Sequence, residues 1–323
     1  MRTPLEPLTI ADIESARTRI AGTALRTPLV RLHVDGPVEI HLKLETLQPI
    51  GSFKLRGALN AIRSMPAARL REGVYTASAG NMAQGLAWAA RELGVACRIV
   101  APDHIPQTKV DAIERLGANV RRVPFSEWWQ ALITHGVPGE AGTFVHPGAD
   151  ANVMAGNATI GLEILEDMPD VDAIIVPYGS GGLACGIACA ARIVRRGIKI
   201  YAAELEGRAP FAAALAAGHP VQIEYAPSFV DGIGGHSVLE EMWPLAQRIL
   251  SGSLTASLRE VADALRLIAE RTHVIAEGAG AASVAAALAH PIPVERMACV
   301  VSGGNIDAAK LSTILAGGIP QVG

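Results

Sequence analysis

The apolar run Ala173-Ile174-Ile175-Val176-Pro177 is followed, after Tyr178, by the glycine-rich segment Gly179-Ser180-Gly181-Gly182-Leu183. The run is typical of a strand buried on both faces, because it contains no polar position. The glycines allow the chain to turn tightly, and the alanine-rich residues that follow have helical spacing. A buried strand, a glycine turn and a helix form one unit of a parallel sheet covered by helices, so this stretch predicts an α/β fold.

The same alternation of short β-prone runs and longer helical segments extends in both directions from this unit. Strands are predicted at residues 41–44, 74–77, 96–101, 119–123, 143–146, 173–177, 199–203 and 297–301. A Thr9-Ile10-Ala11-Asp12 capping box predicts the first helix. Further helices are predicted to follow Asn81, Gln107, Met154, Gly182, Leu258, Gly278 and Asp307. The pair Trp128-Trp129 lies in a less regular stretch and is predicted to anchor a loop.

Composition and charge narrow the class of function. The chain has 323 residues, which predicts about two domains at roughly 100 to 200 residues per domain. Its 28 Lys and Arg residues face 31 Asp and Glu residues, and the net charge of -3 offers no electrostatic attraction for nucleic acid or anionic lipid. No apolar stretch reaches the roughly 18 to 20 residues of a membrane span, and the N-terminus lacks the apolar core of a signal peptide. We therefore expect a cytoplasmic protein whose partner is a small molecule.

The cysteines give no sign of a metal site. Cys97, Cys185, Cys189 and Cys299 are not spaced as a zinc ribbon or as a thioredoxin-type redox pair. They predict reduced, buried thiols of the kind found in cytosolic proteins.

One lysine is a candidate reactive residue. Lys54 lies within Gly51-Ser52-Phe53-Lys54-Leu55-Arg56-Gly57-Ala58, among small and apolar neighbours. By itself this lysine is more often a solvated surface residue. The functional interpretation is a desolvated amine that loses its proton and forms an imine with an aldehyde.

A second segment, Ser78-Ala79-Gly80-Asn81-Met82-Ala83-Gln84-Gly85, joins the predicted strand at 74–77 to a helix. The first turn of a helix presents unpaired amides and the positive end of the helix dipole, which is a binding site for a carboxylate. The alternative is an ordinary helix cap made by Ser78 or Asn81.

Two further segments follow predicted strands. Gly179-Ser180-Gly181-Gly182-Leu183 can close its backbone around a phosphate, although a tight turn without a ligand has the same sequence pattern. It matches neither the dinucleotide-binding nor the nucleoside-triphosphate glycine motif. Ser302-Gly303-Gly304-Asn305 places a hydroxyl at the end of the last strand, where ligands collect in open α/β sheets.

Taken together, these four segments resemble the pyridoxal-phosphate enzymes of fold type II, and specifically the serine/threonine dehydratases, whose superfamily also includes serine racemases. The resemblance spans nearly the whole chain. It extends to His146-Pro147, Ala155-Gly156-Asn157-Ala158-Thr159 with Glu163, Val230-Asp231-Gly232 and Glu277-Gly278-Ala279-Gly280. It implies two open, mostly parallel twisted sheets flanked by helices, and a homodimer. Pyridoxal 5′-phosphate would lie in the cleft between a large domain (residues 1–72 and 148–323) and a small domain (residues 73–147).

The resemblance also implies a role for each matching residue. Lys54 would bond to the cofactor aldehyde and later remove the Cα proton of the substrate. Phe53 and Gly232 would cover the two faces of the cofactor ring, Asn81 would bind its 3′-oxygen, and Ser302 would meet the ring nitrogen. The phosphate would be held by Gly179, Ser180, Gly181, Gly182 and Leu183, and the substrate carboxylate by Ser78, Ala79, Gly80, Asn81 and Met82. A neutral hydroxyl at the ring nitrogen leaves a moderate electron sink, which suits β-elimination.

The chain departs from the family pattern at several positions, of which three bear on racemisation, on substrate size and on a metal site. Ala79 replaces the second Ser of serine racemases, which disfavours racemisation. Met82 replaces a frequent His, and its thioether is expected to make the pocket less polar and to admit larger side chains. Glu204 resembles a cation ligand of some relatives, but Pro210 stands where an Asp ligand is expected, so we predict no metal site and a solvated loop end for Glu204.

These observations predict a dehydratase (ammonia-lyase) that converts an L-β-hydroxy amino acid of the threonine/serine type to a 2-oxo acid and ammonia. One alternative is a dehydratase for a larger substrate such as 3-phenylserine or 3-hydroxyaspartate. Another is a β-replacement transferase of the cysteine-synthase type. The third is a protein that binds the cofactor without catalysis. The chain ends at Gly323, so no appended regulatory domain is expected.

Overall fold

The computed structural model describes residues 3–321, which form two separate β-sheets surrounded by helices. Their strands are β1 (Leu29–Leu32), β2 (Glu39–Leu44), β3 (Val74–Ala77), β4 (Cys97–Pro102), β5 (Asn119–Val123), β6 (Thr143–Phe144), β7 (Ala173–Pro177), β8 (Lys199–Leu205), β9 (Gly252–Ala256) and β10 (Arg296–Val301). The helices are α1 (Ile10–Ile20), α2 (Lys54–Arg63), α3 (Ala67–Leu70), α4 (Asn81–Glu92), α5 (Gln107–Glu114), α6 (Phe125–Thr134), α7 (Ala151–Asp167), α8 (Gly182–Val194), α9 (Pro210–Ala217), α10 (Trp243–Ile249), α11 (Leu258–Thr272), α12 (Gly278–Ala289) and α13 (Ala308–Leu315).

The larger sheet has the strand order β1-β2-β10-β7-β8-β9, and the smaller sheet has the order β5-β4-β3-β6. Only β1, which pairs with β2, is antiparallel to its neighbour; the other pairings are parallel. The expected α/β architecture with two mostly parallel sheets is therefore confirmed.

The strand β7 shows why the larger sheet needs helices on both faces. All five of its residues are buried. Ile174 and Val176 belong to the apolar cluster formed with α1, α7, α8 and α10. Ile175 belongs to the cluster formed with α11 and α12. Because side chains alternate along a strand, a run without polar positions is stable only between two helical layers.

All four strands of the smaller sheet lie between Val74 and Phe144, whereas the strands of the larger sheet come from both sides of that interval. The chain thus leaves the larger sheet, builds the smaller one and returns. This order supports the division into residues 73–147 and residues 1–72 plus 148–323, which stays a proposal.

Most predicted elements are present, with local differences. The capping box at Thr9 is formed as expected, with Thr9 Oγ1 accepting from Asp12 N. Helix α7 begins at Ala151, before the predicted start after Met154, because Asp150 caps it. His146 lies outside β6, although residues 143–146 are predicted as a strand.

The expectation that Trp128 and Trp129 anchor an irregular loop was wrong. Both residues lie in α6, which ends at His135 in the left-handed conformation (φ 57°). Trp129 packs edge-on against His236, with the ring centroids 5.4 Å apart, so this helix contacts a loop outside the smaller sheet.

Among residues 3–321, each helix is too short or too polar to cross a membrane.

Candidate active site

Lys54 is the first residue of α2, and the end of β10 holds it in place. Ser52 forms an antiparallel bridge with Gly303, and Phe53 N donates to Ser302 O at 3.0 Å. The Lys54 amine donates to Pro147 O at 2.5 Å and lies 5.1 Å from the centroid of the Phe53 ring. Burial lowers the pKa of Lys54 to about 8, because desolvation disfavours the ammonium form. Lys54 is therefore a partly buried reactive amine and not a solvated surface lysine.

Within the described part of the chain, no side chain caps the first turn of α4. Gly80 occupies the capping position, so the expected alternative of a cap by Ser78 or Asn81 was wrong. Ser78 Oγ instead accepts from Gly80 N at 3.3 Å. The amides at the start of this helix remain available to a negatively charged group.

Asn81 links the smaller sheet to the end of the larger one. Its Nδ2 donates to Glu277 Oε1 at 2.7 Å, and its Oδ1 accepts from Asn305 Nδ2 at 2.8 Å. Burial, followed by the nearby charge of Asp231, raises the pKa of Glu277 to about 8. Near neutral pH this carboxyl therefore keeps its proton, and Asn81 lies beside a neutral acid.

The glycine loop of residues 179–183 leads into the N-terminus of α8. Gly181 adopts a left-handed conformation (φ 90°), and α8 has no side-chain cap. A Cβ on Gly182 would lie 2.5 Å from Gly148 O, so no larger residue fits there without movement. The Leu183 side chain is buried in the apolar cluster beneath the loop. The loop is thus a close-packed turn whose helix amides offer an anion site.

Gly232 and Ser302 lie around the same region. A Cβ on Gly179 would lie 3.5 Å from Gly232 O, and a Cβ on Gly232 would lie 3.5 Å from Glu277 Oε1. Ser302 is 3% exposed and directly follows β10. The structure therefore brings the four sequence segments together at the ends of strands from both sheets, as the parallel-sheet rule predicts.

Met82 lies deeper than the sequence suggests. Its side chain is 2% exposed and packs in the apolar cluster of the smaller sheet, while Ala79 packs against that cluster from its edge. An effect of Met82 on substrate size stays a prediction. Its backbone amide belongs to the uncapped turn of α4.

The expectation of a solvated loop end at Glu204 was wrong. Glu204 is fully buried in β8. Its carboxylate accepts from the amides of Phe211 and Ala212 at 2.9 Å each and from Ser253 Oγ at 2.6 Å. It thereby anchors the first turn of α9.

Sequence reasoning missed several residues that support the site. Asn305 and His146 lie in motifs that the sequence analysis recognised, whereas Arg208 lies in none of them. Arg208 donates to Val230 O and Ile233 O, on either side of Gly232, at 3.1 and 3.2 Å. The role of Arg208 can be recognised only in the folded structure, where it contacts the backbone around Gly232.

His135, His146 and Glu241 form the type of cluster that can hold a metal ion, since their ligand atoms lie within 4.8 Å of one another. Both ring nitrogens of His146 are, however, occupied by the backbone. Nδ1 accepts from Gly148 N and Ala149 N, and Nε2 lies 3.2 Å from Leu132 O. A metal ion would have to break these contacts.

Comparisons with known proteins agree with this geometry. The family model "Pyridoxal-phosphate dependent enzyme" matches residues 20–303. The chain is 36% identical to an L-threonine ammonia-lyase of Thermotoga maritima, over 98% of this chain and 80% of that protein. The crystal structure of a threonine deaminase from T.th. is 32% identical, with a TM-score of 0.81 over 93% of this chain and 99% of that one. Serine racemase from Dictyostelium discoideum is 30% identical, with a TM-score of 0.83 over 94% of this chain and 100% of that one.

A family match that covers most of the chain, relatives that align with more than 90% of it and a desolvated amine near the glycine loop point to the same cofactor. The chain belongs to the family of pyridoxal-phosphate dependent enzymes.

Proposed function

We propose that this enzyme is a dehydratase that converts an L-β-hydroxy amino acid of the threonine/serine type to a 2-oxo acid and ammonia. The similarity to threonine ammonia-lyase and threonine deaminase supports this activity. The observation that carries it is the desolvated Lys54 amine. It donates to Pro147 O, next to Gly148, which packs against the glycine loop, and the Lys54 backbone packs against Gly85 of α4.

The residues of the site fit the cofactor. Ser52 Oγ is buried near Lys54 and has no hydrogen-bond partner among residues 3–321, and the glycine loop leaves no room for a Cβ at Gly182. We assign the phosphate to the backbone of Gly179, Ser180, Gly181, Gly182 and Leu183, whose position at the start of α8 favours negative charge. The amine of Lys54 would bond to the cofactor aldehyde.

The ring is assigned to Phe53 and Gly232 on its faces, to Asn81 at the 3′-oxygen and to Ser302 at the nitrogen. Asn81 can serve because its NH₂ group has two N–H bonds and the contact with Glu277 uses one. The neutral hydroxyl of Ser302 does not hold a proton on the ring nitrogen as a carboxylate would.

When bound, pyridoxal phosphate withdraws electrons from the substrate Cα. We assign substrate binding and proton transfer to residues of this chain. Ser78 and the amides of Gly80, Asn81 and Met82 bind and orient the substrate carboxylate. Lys54 accepts the Cα proton on Nζ, for which its lowered pKa leaves much of the amine unprotonated near pH 8. Ala79 offers no hydroxyl on the other face of the substrate, so we propose net dehydration and little racemisation.

The cellular setting belongs to the same proposal. The thiols of Cys97, Cys185, Cys189 and Cys299 are free and buried, which suits a reducing cytoplasm. We propose that the protein is cytoplasmic and forms a homodimer. Sedimentation analysis of the purified protein would test the dimer.

The test is Lys54→Ala. We expect the purified variant to lose both the imine absorbance and the release of 2-oxo acid from threonine or serine, because no other residue is assigned to bond the aldehyde. The matched control is Lys199→Ala, which removes an exposed lysine at the start of β8. Turnover by Lys54→Ala would refute the assignment.

A substrate panel without added sulfide identifies the reaction. Release of 2-oxo acid from threonine or serine supports the proposal. Faster release from 3-phenylserine or 3-hydroxyaspartate would indicate a larger natural substrate. Turnover only when sulfide is added would indicate a β-replacement transferase, and an imine absorbance without any turnover would indicate a binding protein.

A further inference from the structure

The turn formed by His146, Pro147, Gly148 and Ala149 meets two parts of the active site. Pro147 O accepts the hydrogen bond from the Lys54 amine at 2.5 Å. Gly148 packs against the glycine loop so closely that a Cβ there would lie 1.7 Å from Ser180 Oγ. The conformation of this turn therefore affects both the reactive amine and the phosphate-binding loop.

The imidazole of His146 accepts hydrogen bonds from the backbone of its own turn. Its Nδ1 accepts from Gly148 N at 3.0 Å and from Ala149 N at 2.7 Å. Because Nδ1 accepts two N–H groups it carries no proton, so the proton of the neutral ring lies on Nε2 and points to Leu132 O. His146 thus ties the turn to α6 through a single ring of defined tautomer.

The surroundings of His146 keep it neutral. The ring is 2% exposed, and burial, followed by the charge of His135, lowers its pKa to about 3. His135 lies 4.4 Å away between ring centroids and pairs with Glu241 at 2.8 Å. Two further charged groups act on His146: Glu241 raises its pKa and Lys54 lowers it, and burial remains the largest cause.

We propose that His146 is a positioning residue, which holds the Pro147 carbonyl towards Lys54 and so orients the free amine for reaction. An amine that donates one N–H to a fixed carbonyl has its lone pair restricted in direction, whereas a free amine rotates among staggered positions. This inference rests on the proposed role of Lys54. It assigns to His146 no contact with substrate or cofactor.

The experiment separates the two nitrogens of the ring. In His146→Asn the side-chain oxygen can replace Nδ1 and accept from Gly148 N and Ala149 N. In His146→Gln the amide reaches the Nε2 position and can donate to Leu132 O, but no acceptor remains at Nδ1. His290→Gln is the matched control, because His290 also contacts a backbone carbonyl, that of Thr255, at a different place in the fold.

The readout is the rate at which the full chain, stripped of cofactor, captures added pyridoxal phosphate as an imine, followed by absorbance from pH 6 to pH 10. For His146→Gln we expect the plateau rate at high pH to fall about 10- to 100-fold, since small misplacements of a reacting group have effects of this size. The apparent pKa of capture should move below that of the wild type, because the ammonium form loses its carbonyl acceptor. His146→Asn and His290→Gln should stay within about 3-fold of the wild-type rate.

Three results would overturn the proposal. An unchanged plateau in His146→Gln would show that the turn does not orient the amine. An equal loss in both His146 variants would show that the Nδ1 acceptor is not the reason. An apparent pKa that rises towards the ordinary lysine value would show that the substitution only admits water. Capture by Lys54→Ala would instead refute the proposed function, so the two failures are distinguishable.

Discussion

Lys54 and Glu277 are chemically ordinary side chains whose pKa values are moved in opposite directions by the same cause. Burial disfavours whichever form is charged, so it lowers the pKa of the amine and raises that of the carboxyl, each to about 8. Perturbed groups of this kind concentrate at functional sites. At the scale of single residues, the site therefore contains an amine and a carboxyl whose pKa values both lie near neutral pH.

Replacing the buried carboxyl gives a prediction for stability. The unfolded chain releases the Glu277 proton near the ordinary carboxyl pKa, whereas the folded chain holds it to about pH 8. Between these pH values the unfolded state binds fewer protons, so this group makes the free energy of unfolding fall as pH rises. The substitution Glu277→Gln removes this pH-dependent decrease in the free energy of unfolding. We expect the cofactor-free variant to match the wild type near pH 4 and to be more stable by about 1–4 kcal/mol near pH 8.

Denaturant unfolding at the two pH values measures this difference. Exposed Glu224→Gln is the control for the loss of one carboxyl group. If Glu277→Gln and the wild type show the same pH dependence, the carboxyl is ionised in the folded protein at neutral pH.

At the scale of elements, the loop of residues 228–237 depends on an arginine that lies outside it. Arg208 is 3% exposed and its guanidinium stacks on Tyr225 at 4.0 Å. It donates to Ser228 Oγ at 2.8 Å and to the carbonyls that flank Gly232. A guanidinium can bridge these acceptors at once because its donors form a rigid planar fork.

Arg208→Lys should therefore loosen the loop and weaken cofactor binding. A lysine keeps the charge but cannot reach the same acceptors together, and hydrogen bonds to charged groups contribute about 1.5–3 kcal/mol each. We expect the dissociation constant of pyridoxal phosphate to rise about 10- to 100-fold. Absorbance titration of the cofactor-free protein measures it.

Arg259→Lys is the matched control, because Arg259 also donates to a backbone carbonyl, that of Gly317, on an exposed surface. Equal cofactor affinity in Arg208→Lys and the wild type would mean that the loop keeps its conformation without the hydrogen bonds of the Arg208 guanidinium.

At the scale of the whole molecule, one buried ionic cluster joins the elements that carry Lys54. Arg56, two residues after Lys54 in α2, pairs with Glu45 at 2.8 Å and with Glu163 of α7 at 2.6 Å. Lys43 of β2 also pairs with Glu163 at 2.6 Å. The cluster therefore fixes α2 against both α7 and the larger sheet.

Removing Arg56 leaves Glu45 buried without its cationic partner and leaves Glu163 with Lys43 alone. We expect Arg56→Met to lower the free energy of unfolding by about 3–5 kcal/mol, as measured by denaturant titration at pH 7. Arg17→Met, which removes an exposed arginine paired with Glu166, should change it by about 1 kcal/mol or less. A similarly small effect at Arg56 would show that water or a pKa change relieves the buried carboxylates.

In the larger sheet, the sequence predicted the central strands better than the two edge strands. Strand β7 was identified because its run of apolar residues reflects burial on both faces. Strands β1 and β9 lie at the two ends of the larger sheet and were missed. Both strands are only partly buried, so they carry neither a continuous apolar run nor a clear alternation. Helices α2, α3, α6, α9 and α10 were also missed. In α6, aromatic residues stand where several of the predicted helices carry alanines.

The sequence by itself determined the fold class, the family resemblance and the four segments of the site. These are local properties, since burial, turns and helix starts each leave a pattern within about ten residues. Only the tertiary structure decided which distant groups act on those segments. Pro147 meets Lys54, Glu277 meets Asn81 and Arg208 holds the loop of Gly232. The pKa values near 8 also depend on the tertiary fold, because desolvation is set by everything packed around a group and not by its neighbours in sequence.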